Sequence, residues 1–223
     1  MVRVRKKNDY DAFEKLALKV HRLIIKPNFS AVGSGIRAVD IADKDESKLV
    51  FGELMLSGRE WVAEERISQS DEMAQWNDTS VNTIRVSSFL NNKGFYVLSS
   101  ILRTGRKGAI VDNAGRGGIS AAIDPLKGII ISNGMDKKGN WYDCHPDSGR
   151  KYQGTQIPKW MELINLVESI HRSIPNQIYV GWDFALTEKG WVLIEGNWGE
   201  LGAQQVALGY GLKPLFDKYL YSK

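Results

Sequence analysis

The sequence predicts an α+β chain built mainly from antiparallel hairpins, with a few amphipathic helices set between them. Three hairpin signatures carry that expectation. Asn91-Asn92-Lys93-Gly94 separates the apolar runs 81–90 and 94–103, Lys137-Lys138-Gly139-Asn140 divides 129–142, and Thr187-Glu188-Lys189-Gly190 parts two runs within 179–199. Helical stripes appear at Phe13, Leu16, Ala17 and Val20, within 9–23, and at Trp160, Ile164, Val167 and Ile170 or His171, within 159–173. A chain of 223 residues buries a full core as one domain or two small lobes.

Taken in order, the first helix is capped by Asn8 or Asp9 and leads into a short strand, 23–27, that ends at Lys26-Pro27. A small-residue loop follows, from Asn28 through Ser30, Gly33 and Ser34 to Gly35. It is not a P-loop, because the lysine precedes it and no Gly-Lys-Ser/Thr follows. Its physics is similar nonetheless: a lysine at a strand end supplies charge for phosphates, and small residues let backbone N–H groups approach them. A strand, a turn and a solvated lysine is the plainer alternative. Two further strands are expected at 36–43 and 48–56, joined by the acidic turn Asp43-Lys44-Asp45-Glu46, and another at 61–67 that ends in Glu64-Glu65. Such a strand end can meet a base edge and an exocyclic amine or ribose hydroxyl, or be a charged exposed edge.

Residues 69–76 read as a short helix, and the hairpin 81–103 places Thr83, Arg85 and Ser87 on one face with Ile84 and Val86 on the other. Segment 112–124 sets Asn113 and Arg116 among glycines, which allow close backbone approach to a ligand or make a plain turn. The polar loop ending near Pro158 carries Cys144-His145-Pro146-Asp147, where His145 could touch substrate, although a lone loop histidine is usually only a surface residue. Short helical pieces close the chain at 203–208 and from Pro214.

Composition narrows the function classes. No apolar run reaches the roughly 20 residues of a membrane span, and the N-terminus lacks the apolar core of a signal peptide. One cysteine excludes an internal disulfide framework and suits a reducing, cytoplasmic setting. Three scattered histidines with that cysteine argue against a soft-ligand zinc site. The net charge of +4 is spread rather than blocked, and no aromatic-plus-basic RNA-binding module is present, so an anionic small substrate is favoured over nucleic acid.

The 179–199 hairpin organises the rest. If the turn centres on Lys189, Asp183 lies opposite Glu195, and Asn197 points the same way. Trp182, Phe184, Leu186, Val192 and Ile194 then make the apolar face. Two like charges opposite each other need neutralising. An all-oxygen set of two carboxylates and an amide suits Mg²⁺ or Mn²⁺, which with few protein ligands completes its shell from water and phosphates and so points to a nucleotide. The alternative is a salt bridge from one carboxylate to a nearby Lys or Arg.

In their order, these parts resemble the ATP-grasp superfamily, specifically its sugar-transfer-associated group. They are Lys26 before its loop, Glu64-Glu65, Ser80 to Arg85, Asn113 to Gly118, His145-Pro146-Asp147 and Asp183…Glu195-Gly196-Asn197. The resemblance implies two α+β lobes with antiparallel sheets that grip ATP, the first over 1–80 and the second over 81–223. Lys26 would meet the α/β phosphates and Ser30 to Gly35 would close over them. Glu64 and Glu65 would sit at the adenine and ribose, and Asn113 would join the nucleotide site. Asp183, Glu195 and Asn197 would hold one or two Mg²⁺, while Arg85 and Arg116 would neutralise the transferred phosphoryl group. The implied activity is ATP-dependent joining of a carboxylate to an amine through an acyl phosphate, with surface-polysaccharide or sugar metabolism as its setting. A phosphotransferase acting on a hydroxyl, or a non-catalytic nucleotide-binding module, are the other readings. Family members usually carry an α/β domain before the lysine strand, where this sequence shows only a helix. The resemblance therefore also implies a truncated or minimal form, or a partner subunit or second copy that completes the site.

Overall fold

The computed structural model describes residues 1–29, 35–112, 117–199 and 201–221. The chain divides into two compact units, Met1–Ser68 and Gln69–Lys223. The sequence-based division at 80/81 differs because 69–80 is tied into the second unit. Gln69 donates to the carbonyls of Asn77 and Ser80 and accepts from Asn82, and the Ser70 amide bonds the Leu186 carbonyl.

In the first unit, strands β1 (Val2–Val4), β2 (Arg22–Pro27), β3 (Arg37–Asp40) and β4 (Trp61–Glu65) form an antiparallel sheet in the order β1-β4-β2-β3. Helices α1 (Tyr10–Val20) and α2 (Lys44–Leu56) share its core, in which Phe13, Ala17, Phe51 and Leu54 join Leu23, Ile25, Trp61 and Ala63. Helix α2 replaces the strand expected at 48–56, and the supposed acidic turn is its N-terminus. Asp43 accepts from the amides of Asp45 and Glu46 at 3.0 Å each, and Glu46 reaches back to the Ala42 amide at 2.7 Å. The buried positions Ser47, Phe51 and Leu54 follow a helical period. The adjacent apolar residues Leu49, Val50 and Phe51 give the same stretch the composition of a strand.

The second unit holds β5 (Thr83–Asn91), β6 (Gly94–Thr104), β7 (Ile119–Ile123), β8 (Gly134–Asp136), β9 (Trp141–Tyr142), β10 (Tyr179–Thr187) and β11 (Gly190–Asn197). They form one antiparallel sheet in the order β11-β10-β5-β6-β7-β8-β9. Helix α3 (Asp71–Ala74) precedes it. Helix α4 (Trp160–Ser173) supplies Trp160, Leu163 and Val167 to a core with Ile84, Val86, Leu102, Trp182 and Phe184. On the opposite face, α5 (Gly202–Leu208) seats Ala207 and Leu208 against Ile101 and Ala122. The terminal helix α6 (Lys213–Tyr221) packs Phe216 and Tyr219 near Phe89.

Two bulges set which side chains share a face. The β5–β6 hairpin pairs Asn91 with Gly94 and Ser88 with Val97, then shifts so that Ser87 meets Ser99 and Thr83 meets Arg103. The β10–β11 hairpin pairs Thr187 with Gly190 and Phe184 with Leu193, then shifts so that Asp183 meets Glu195. The expected Asp183–Glu195 pairing therefore holds, but through a bulge at Ile194 rather than a turn centred on Lys189. Val192 faces away from the core beside Ala185, and Val192 and Ile194 are 40% and 38% exposed, so neither belongs to the apolar core expected of them.

Removing the α2 cap by Asp43→Ala lowers stability by about 1 kcal/mol. A fall in the urea midpoint of the first unit's transition, at unchanged slope, is the measurement that checks it.

Candidate functional site

In the first unit, Lys26 lies opposite Val62 and Ile24 opposite Glu64. Alternation places Ile24, Lys26, Val62 and Glu64 on the sheet face away from the helices. Lys26 Nζ pairs with Glu64 Oε2 at 2.7 Å, both side chains being about one-third exposed. Glu65 pairs with Leu23 and points the other way, so the adjacent acids do not act as one unit. Gly35 has φ +78°, and a Cβ there would lie 2.9 Å from Pro27 Cγ, so the loop's last residue passes close over the end of the lysine strand. Ser30, Gly33 and Ser34 lie outside the described residues.

In the second unit, the polar face of the sheet holds a buried ion network. Asp183 on β10 faces Arg85 on β5. Arg85 Nε donates to Asp183 Oδ1 and Nη2 to Oδ2 at 2.7 Å, a bidentate pair in which both side chains are under a tenth exposed. Arg103 on β6 adds Nη1 to Asp183 Oδ2 at 3.1 Å and Nη2 to Asp112 Oδ1 at 3.3 Å. Asp112 Oδ2 in turn accepts from the amide of Thr83 at 3.0 Å and from the Thr83 hydroxyl. Burial opposes the charge on Arg103, but Asp112 and Asp183, with a smaller contribution from Glu195, raise its pKa. Burial raises the Asp112 pKa, against the lowering by Arg103 and by the hydrogen bonds from Thr83.

Further along the same face, Ser87 and Ser99 hydrogen-bond the buried Gln204 of α5, which seats that helix beside the network. Glu195 and Asn197 stand at the sheet edge. Glu195 is exposed and Asn197 half-buried, and the Asn197 amide donates to Glu195 Oε1 at 3.1 Å.

Of the two neutralisers the sequence allowed for Asp183, a cation or a salt bridge, the structure shows the second: two guanidinium groups meet its carboxylate. A divalent ion still fits the donor set. Asp183 Oδ2 accepts two hydrogen bonds, whereas Oδ1 accepts one and keeps a lone pair. Glu195 and the Asn197 carbonyl add two oxygens on the same face. The formal charges of Arg85, Arg103, Asp112, Asp183 and Glu195 sum to −1. Among the described residues, no group of three or more His, Cys, Asp and Glu is placed to hold a metal, so a divalent ion here would rest on two carboxylates and an amide.

Sequence reasoning found Arg85, Asp183, Glu195 and Asn197 on this face and missed Arg103 and Asp112. Counted back from the Asn91–Gly94 turn, Arg103 falls opposite Asn82 and on the core side; the bulge that moves it is not readable from spacing. Asn113 and Arg116 lie outside the described residues. His145 is corrected from a surface residue to a fully buried one. Its Nε2 donates to the Gly105 carbonyl at 2.9 Å and its Nδ1 accepts from the amides of Asp147 and Ser148 at 3.3 Å, which defines the neutral Nε2–H form. Burial lowers its pKa accordingly.

A model of the sugar-transfer associated ATP-grasp family matches residues 1–219. The chain belongs to that family. No curated relative matches the sequence. Among solved structures, this ATP-grasp chain is similar to D-alanyl-alanine synthetase A from Vibrio cholerae O1 biovar eltor str. N16961, with a TM-score of 0.51 and 12% identity over 96% of this chain and 56% of that one. It is also similar to the ATP-grasp ligase PsnB complexed with a minimal precursor, with a TM-score of 0.52 and 13% identity over 96% and 52%. A second PsnB structure, complexed with a phosphomimetic precursor variant, Mg and ADP, gives 0.51 and 13% over 98% and 53%. The chain thus spans about half the length of these structures. At such identities the likeness establishes the ATP-grasp fold. Among the described residues, no helix is long and apolar enough to cross a membrane.

Asp183→Ala leaves Arg85 and Arg103 buried beside a missing carboxylate and costs about 3–5 kcal/mol; chemical denaturation of the ligand-free protein checks it. Asp147, hydrogen-bonded by Arg106 and by the Lys107 amide, has its pKa lowered from 3.8 to about 2. Its contribution is present above pH 3.8 and is lost as pH falls through about 2, because the unfolded chain takes up the proton first. Asp147→Asn therefore makes stability fall less steeply across that interval, as urea unfolding at stepped pH would record.

Proposed function

We propose that this chain provides the nucleotide and metal site of an ATP- and Mg²⁺-dependent ligase. That ligase activates a carboxylate as an acyl phosphate and joins it to an amine. The observation that carries this reading is the second unit's polar face, where Asp183, Glu195 and Asn197 stand beside Arg85 and Arg103. A bound divalent ion would neutralise phosphate oxygens there, held by Asp183, Glu195 and Asn197 as one ion or two, with Mn²⁺ able to replace Mg²⁺.

The chain's own residues do the rest electrostatically. Lys26 binds phosphate, exchanging its bond to Glu64 for one to the nucleotide. Glu64 then accepts from an adenine amine or a ribose hydroxyl. Arg85 and Arg103 hold Asp183 in place and supply positive charge for the phosphoryl group in transfer. Arg116, Asn113 and the segment Ser30 to Gly35 complete the phosphate contacts in this reading. In the reaction a carboxylate oxygen attacks the γ-phosphorus and ADP leaves. The amine nitrogen then attacks the acyl carbon, loses a proton and expels inorganic phosphate. The carboxylate in this reading comes from sugar or surface-polysaccharide metabolism, of which the family's description, sugar-transfer associated, supports only the link to sugars, and the single, exposed Cys144 suits a cytoplasmic setting.

The reading is tested by ADP formation that requires both a carboxylate and an amine. Formation with a hydroxyl acceptor instead identifies a phosphotransferase, and tight binding without turnover a nucleotide-binding module. Glu195→Gln and Asn197→Ala remove exposed or half-buried donors, so both variants fold as the parent does. Each loses the thermal stabilisation that Mg-ATP gives the parent and ATP with chelator does not. Stabilisation equal to the parent's in both variants would remove the metal assignment.

A further inference from the structure

The buried network contains one acid that the reaction does not need. Asp112 is 8% exposed at its side chain. Its Oδ2 is occupied by the Thr83 amide and hydroxyl, which fixes its orientation from the strand that also carries Arg85. Its Oδ1 takes Arg103 Nη2, while Arg103 Nη1 reaches Asp183. Arg103 is thus a bridge between two carboxylates, only one of which belongs to the proposed metal set.

We propose that Asp112 is a positioning residue that divides the charge of Arg103 between itself and Asp183, and so sets how strongly the Asp183–Glu195–Asn197 face attracts a divalent cation. This rests on the reading of that face as the metal site. Guanidinium charge drawn toward Asp112 is charge withheld from Asp183 and Glu195. Neutralising Asp112 leaves the whole positive charge of Arg103 facing those acids, and the named groups then sum to zero instead of −1. Removing Arg103 makes the sum −2. The two changes act on the cation in opposite directions, which a loss of packing would not do. A simple structural role for Asp112 predicts weaker cation binding in both variants.

The experiment titrates Mg²⁺ in a fixed saturating concentration of a non-hydrolysable ATP analogue and reads the melting temperature of the full chain. Asp112→Asn keeps the shape of the side chain and an acceptor for Thr83, and is expected to raise the half-saturating Mg²⁺ roughly fivefold. Arg103→Met is expected to lower it by a similar factor. The double variant restores a sum of −1 and is expected to lie near the parent. Should Asp112→Asn fail to fold, Arg103→Met and the double variant, from which both partners are gone, still give the sign. Shifts in the same direction, or none, in a parent that responds to Mg²⁺ would overturn the role of Asp112 alone. A parent whose melting temperature ignores Mg²⁺ would overturn the metal site itself, and this inference with it.

Discussion

Asp183 holds the second unit's functional face together. A carboxylate this deeply buried is tolerable only if its charge is met at close range, and here two arginines from two neighbouring strands meet it. The pairing ties β10, β5 and β6 together through side chains as well as through the ladder. In the proposed reading the same two guanidinium groups also serve the phosphoryl group, so that stability and site chemistry would draw on the same contacts. Such a network is worth more for the geometry it specifies than for its net free energy, since desolvation consumes much of the Coulombic gain.

That geometry depends on two one-residue irregularities. A strand alternates its side chains strictly, so a single-residue slip exchanges the two faces. Without the slip between Ser87 and Ser88, Arg103 would enter the apolar core under α4; without the one at Ile194, Glu195 would turn away from Asp183. Both lie between the tight turn of a hairpin and the functional end of its strands. The turn end can thus keep the register its loop requires while the distal end presents charged groups together.

The first unit uses a simpler device. Lys26 and Glu64 sit diagonally on the open face of a four-stranded sheet whose other face is sealed by two helices. Partial exposure lets their ion pair exchange with solvent or ligand at little cost. Nearby, Gly35 comes so close to Pro27 that a Cβ there would lie 2.9 Å from its Cγ, too near for a larger residue without a shift.

Alternation, helical periodicity and turn residues were enough to read most elements from the sequence: all three hairpins, helices α1 and α4, the lysine strand, and the shared face of Thr83, Arg85 and Ser87. Where reading failed, the cause was specific. Helix α2 was missed because Leu49, Val50 and Phe51 imitate a buried strand, although Asp43 and Glu46 gave a capping signal. His145 was misplaced because its partners, the carbonyl of Gly105 and two backbone amides, are set by loop packing rather than by any motif. Local spacing thus determined which residues alternate and where the chain turns, since both follow from backbone geometry over a few residues. Only the tertiary structure decided that Asp183 is neutralised by arginines, that Arg103 and Asp112 complete its surroundings, and that Glu195 reaches its expected place opposite Asp183 through a bulge. Those outcomes depend on bulges and on contacts between strands far apart in sequence, which no local pattern encodes.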